Sequence, residues 1–101
     1  MQKQSNNHKI KFESLNQARA EIDELDQHLV ALLATRQEYV DQAMRFKSAV
    51  QDVQSPERVS QVILHVRGLA EQQGVDPILV EKIYREMIQY SIQRELKQIR
   101  P

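Results

Sequence analysis

The sequence predicts an all-α fold, and three features carry that expectation. Gly (2) and Pro (3) are scarce in 101 residues, while Ala, Leu, Gln, Glu, Lys and Arg dominate, which favours helix over sheet. Apolar residues recur at alternating spacings of three and four, the period of a helix with one buried stripe. The interruptions fall at helix punctuation: Ser55-Pro56, Gly74 and Asp76-Pro77. A chain this short is one domain and hides only about 60 to 65% of the surface its unfolded form exposes, so its own core should be thin.

Residues 1–13 (MQKQSNNHKIKFE) lack apolar periodicity and read as a flexible N-terminal tail. The helical domain is expected over 14–101. With Ser14 as N-cap, Leu15, Ala18, Ile22, Leu25, Leu29, Leu32, Tyr39, Ala43 and Phe46 form one stripe. The helix is expected to run to about Val50, roughly 36 residues or ~54 Å at 1.5 Å per residue. A compact domain of about 100 residues has a radius of gyration near 13 Å, so one chain cannot cover such a rod. A second copy is expected to bury its remaining apolar face, giving an intertwined helical homodimer. A polar loop is expected from Gln51 to Gln54. Ser55 and Pro56 then open a second helix that Gly74 closes as C-cap. Asp76-Pro77 opens a third, with Val80, Ile83, Tyr84, Met87, Ile88, Ser91, Ile92 and Glu95 on one stripe, ending near Arg100. The prediction is a chain of one long and two shorter helices.

Lys plus Arg and Asp plus Glu number 14 each, so no net field exists to hold a polyanion, and nucleic acid is not an expected partner. The absence of Cys excludes a disulfide framework and a thiolate zinc site. His8, His28 and His65 are scattered. Met1 to Lys11 is polar and basic, unlike a secretory leader, and no apolar run approaches the ~20 residues of a membrane span. No membrane association is expected, and the cytoplasm is the expected location.

Several charged residues fall where the periodicity calls for apolar ones. Arg36 continues the heptad of Leu29 and Leu32, and Lys47, eleven residues on, projects about 20° from it around an unbroken helix. Two cations on a face due for burial call for an anion, within the protein or as a ligand. The alternative for Lys47 is that its long stem reaches water from near the helix end. Arg19 lies roughly 100° away from Arg36 around the same helix. It is therefore either a solvated surface residue or a group that serves the pocket of a second chain. Arg58 sits in the first turn of its helix, where a cation opposes the macrodipole. Glu95 and Ser91, four residues apart on the last stripe, point at one neighbour. For Glu95, an ion pair with the basic groups and a catalytic role remain equally open.

Arg19, the run IDELDQHLVALLATR ending at Arg36, then Lys47, the SPER ending at Arg58, Ser91 and Glu95 together resemble the all-helical (AroQ) class of chorismate mutases over about residues 14–98. The resemblance implies a dimer of three-helix chains that converts chorismate to prephenate by a Claisen rearrangement, without metal or cofactor. It further implies that Arg36 and Arg58 hold the carboxylates of a dicarboxylate substrate and that Arg19 comes from the other chain. Lys47 would bind a carboxylate and the ether oxygen, and Ser91 would assist with a carboxylate. Glu95 stands where most bacterial members have a Gln that donates to the ether oxygen.

Such a set suffices chemically. A pericyclic rearrangement uses no nucleophile; the substrate must be held in a reactive conformer, and negative charge growing on the ether oxygen must be stabilised. Two departures bear on the substrate. Mutases follow the Arg58 equivalent with a Glu that receives the ring hydroxyl, whereas this chain has Val59. The PERV wording and the preceding RFK resemble the isochorismate-pyruvate lyases, which share the fold and release pyruvate from isochorismate. Glu95 departs from both groups, although some eukaryotic mutases use Glu there. By frequency in the family, chorismate mutase is the first expectation and isochorismate-pyruvate lyase the second. A non-enzymatic helical interaction module is the third, and it predicts no shared basic pocket.

Overall fold

The computed structural model describes residues 10–53 and 55–99, with the side chains of Gln51 and Ile99 left aside. Among the described residues the fold is all-helical, with no strand: α1 (Leu15–Met44), α2 (Val50–Val53), α3 (Pro56–Gln73) and α4 (Pro77–Ile99). Residues 1–9 of the expected tail and Gln54 of the expected loop lie outside the described residues, as does Arg100. Residues 10–14 are non-helical, and none of the described helices is long and apolar enough to cross a membrane.

The helix starts are built as their sequences dictate. Ser14 Oγ accepts from the Gln17 N–H at 3.0 Å, Ser55 Oγ from the Arg58 N–H at 3.2 Å, and Asp76 Oδ1 from the Ile78 N–H at 2.9 Å. Each satisfies one of the amide donors that a first turn leaves open. Gly74 closes α3 with φ 75°, ψ 28°, a left-handed conformation that costs glycine little. The Val75 N–H then reaches the Ala70 carbonyl at 2.8 Å, as in a Schellman stop.

The end of α1 differs from expectation. The helix stops at Met44 rather than near Val50. Its continuation tightens into i→i−3 bonds, from Arg45, Phe46 and Lys47 to the carbonyls of Gln42, Ala43 and Met44 at 3.0–3.1 Å. Asp52 then competes for the backbone. Its Oδ2 accepts from the N–H groups of both Ser48 and Ala49 at 3.3 Å, donors that a longer helix would have turned on its own carbonyls. This reach back to the residue before the helix, half of a capping box, seeds α2 in place of the expected loop and turns Val53 inward to 5% exposure.

α3 and α4 form a hairpin across the Gly74–Asp76 turn, with Ile63, Val66 and Ala70 buried. Glu81 on α4 receives Arg67 from α3 on one oxygen and Arg85 from its own helix on the other. The polar contacts between α1 and the hairpin among the described residues come from the second half of α1 and the turn beyond it: Arg36 over Tyr84, Asp41 with Arg94 at 3.3 Å, and Lys47 with Glu95. No residue of α1 is buried; Leu25, Leu29 and Leu32 stay about two-thirds exposed at 62, 58 and 66%. The result is a rod, 58 × 24 × 24 Å.

Candidate active site

Where the second half of α1 meets the rest of the chain, the elements line a half-open cavity of about 360 Å³, within the range of small-molecule sites. Each contributes polar groups to its wall: α1 supplies Arg36, the following turn Lys47, α2 Asp52, α3 Arg58, and α4 Ser91 and Glu95. Between them lie apolar surfaces, among them Val40, Val53, Val59, Ile88 and Ile92. On α4, positions 88, 91, 92 and 95 share a face because three- and four-residue steps return to one side of a helix.

The sequence places Arg36, Lys47, Arg58, Val59, Ser91 and Glu95 in one site, and all six line this cavity. Arg19 does not. It is exposed on the free half of α1, ~25 Å along the rod from Arg36 at 1.5 Å per residue. Lys47 arrives by a different route from the one its spacing suggests, since it sits on the tightened turn beyond α1 and not on a continuous helix face.

Lys47 Nζ donates to Glu95 Oε1 at 3.1 Å. Glu95 is 4% exposed, and a carboxylate so placed requires a partner of this kind. Arg36 and Arg58 form no ion pair with any described residue. Ser91 is 8% exposed, and its hydroxyl has no hydrogen-bond partner among the described residues. Buried hydroxyls are ordinarily paired, so this one, on the cavity wall, is available to a ligand. Two unpaired guanidinium groups and a free hydroxyl around an apolar waist suit a small, rigid anion. Among the described residues no cluster of three or more His, Cys, Asp or Glu is disposed to hold a metal.

Asp52 is the site residue that the sequence reading missed. It lies inside the stretch taken for a polar loop, and its signal was the capping relation to Ala49, three residues earlier. Of the apolar walls, Ile88 and Ile92 were legible on the stripe of the last helix, whereas Val53 was hidden in the same expected loop.

Comparison with known proteins agrees with the geometry. Residues 18–96 match the model of the family described as chorismate mutase type II. The isochorismate pyruvate lyase of Pseudomonas aeruginosa is 33% identical over 79 residues, which are 78% of this chain and 78% of that one. The matched span runs from the first turn of α1 to the end of the site on α4 and includes every charged residue of the cavity. The chain belongs to the type II chorismate mutase family.

Proposed function

We propose that the chain is a pericyclic catalyst for a cyclic enolpyruvyl dicarboxylate, acting as an isochorismate-pyruvate lyase, with chorismate to prephenate as the second reading. The sequence alone put the mutase first. Val59 supports the change of order: it lines the cavity, its side chain has no polar atom, and the family resemblance puts at this position the Glu that receives the ring hydroxyl of chorismate in mutases. The likeness to a lyase supports the same choice.

In this reading Arg36 and Arg58 hold the two carboxylates, bidentate where geometry permits, and the Ser91 hydroxyl adds a donor. Lys47 stabilises charge on the ether oxygen as the C–O bond breaks. The hydrogen on the adjacent ring carbon passes to the methylene carbon of the enolpyruvyl group. Pyruvate leaves and the ring becomes the aromatic ring of salicylate. In the mutase reaction the same C–O cleavage is accompanied by C–C bond formation. Glu95 assists when it carries a proton and donates to the ether oxygen, because an ionised carboxylate there would oppose the growing charge.

The site is completed by a second copy. The cavity wall carries three cations, Arg36, Lys47 and Arg58. Arg19 from a second chain adds a fourth for the dianionic substrate, and an antiparallel partner helix laid on the exposed stripe of α1 brings it in while burying Leu25, Leu29 and Leu32.

The test is product identity with purified protein and each substrate in turn. Isochorismate should give salicylate and pyruvate, with chorismate turned over more slowly to prephenate; consumption of neither would reject the enzyme reading. Val59→Glu, by restoring the acceptor, should shift the ratio of kcat/KM values toward chorismate.

A further inference from the structure

The two cavity cations contributed by α1 and its following turn are held in opposite ways. Lys47 is fixed by a carboxylate, Glu95, which occupies one of its donors and compensates its charge. Arg36 touches no carboxylate; its guanidinium carbon lies 5.3 Å from the centroid of the Tyr84 ring. An aromatic face attracts a guanidinium through its quadrupole without occupying any of the five N–H donors, which lie around the edge of the planar group.

That distinction matters because Arg36 stands between two spaces. It lines the cavity, and it also lines the groove between α1 and α4 in which Glu86 is exposed. An unanchored guanidinium would be drawn toward that carboxylate, yet the two form no ion pair. Tyr84 is half-buried on α4, one turn before Ile88 on the stripe that builds the cavity wall, and does not line the cavity itself.

We infer that Tyr84 is a positioning residue, which holds the Arg36 guanidinium by its ring so that its charge and N–H groups stay available to a substrate carboxylate. The identity of that carboxylate rests on the proposed function; the geometry does not. Ring and hydroxyl are separated by Tyr84→Phe, which keeps the stacking face, and by Tyr84→Leu and Tyr84→Met, which fill the space without a π system. Two apolar variants guard against one failing to fold.

In ligand-free protein the Arg36 Nε–Hε resonance, assigned through its loss in Arg36→Lys, should show a ring-current shift in wild type and Tyr84→Phe and lose it in the Leu and Met variants. With substrate, Leu or Met should raise KM about three- to tenfold, the range of a partly desolvated cation–π contact, and leave kcat within about twofold. Phe should behave as wild type. On an Arg36→Ala background the Leu substitution should weaken substrate binding, read as Kd by titration, no further. An unshifted Arg36 resonance in wild type overturns the inference, as does a Phe variant as impaired as Leu, an unchanged KM in Leu, or an equal weakening of binding without Arg36. If wild type consumes neither chorismate nor isochorismate, the proposed function fails by itself, and the Arg36 resonance still decides the role of Tyr84.

Discussion

At the scale of residues, the part-buried Lys47–Glu95 pair divides two roles that mutation can separate. In the proposed reaction Lys47→Ala should lower kcat by about 10²-fold with a smaller change in KM, since a contact to the ether oxygen would strengthen as the bond breaks. A raised KM with intact kcat would make Lys47 a carboxylate anchor only. Glu95→Gln keeps the shape, supplies a neutral donor and frees Lys47 from its counter-charge. At neutral pH the Gln variant should keep or exceed the kcat of the wild type, because a neutral donor then faces the ether oxygen. A large loss of kcat in the Gln variant would leave Glu95 as the structural partner of Lys47. Both residues were legible because charge on an apolar stripe is costly and therefore conspicuous. The hydrogen bond between them was not, because it joins positions 48 residues apart and depends on where α1 stops.

At the scale of elements, caps were readable and the α1 boundary was not. Ser14, Ser55, Pro56, Gly74 and Asp76 act locally, so their residue types announce them. The early end of α1 is decided by competition between helical carbonyls and the Asp52 side chain for the same N–H groups, which apolar spacing does not register. The α3–α4 hairpin has a polar clasp with a measurable signature. Arg85 first, and then Arg67, hold the Glu81 carboxyl below its ordinary value of 4.5. A depressed folded-state value adds stability that is present above the unfolded value and is lost as pH falls through the folded one. Glu81→Gln should therefore lower the thermal midpoint slightly at neutral pH, with the small effect expected of an exposed pair. The difference from wild type should shrink once the pH drops below 4.5. A gap that persists in acid would assign the loss to packing and not to charge.

At the scale of the whole molecule, the length of α1 already implied more apolar surface than one chain covers, and the exposed stripe agrees with that implication. The protein should sediment as a dimer at micromolar concentration, with an unfolding midpoint that rises with concentration. Arg19→Ala and Arg36→Ala chains, each inactive alone, should regain activity when refolded together, because one of the two mixed sites keeps both arginines. No recovery in a verified heterodimer would confine Arg19 to its own chain or remove it from the reaction. The position of Arg19 along the sequence could not by itself separate these cases, since no second chain enters a one-dimensional pattern.

The order in which the chain is made sets a condition on the site. Arg36, Lys47 and Arg58 all leave the ribosome before the surface that gathers them, because Ile88, Ser91, Ile92 and Glu95 lie on the last helix. The first element thus waits for the last to find its place. A chain cut short before Ile88 keeps every cation of the site and lacks the wall that makes them one.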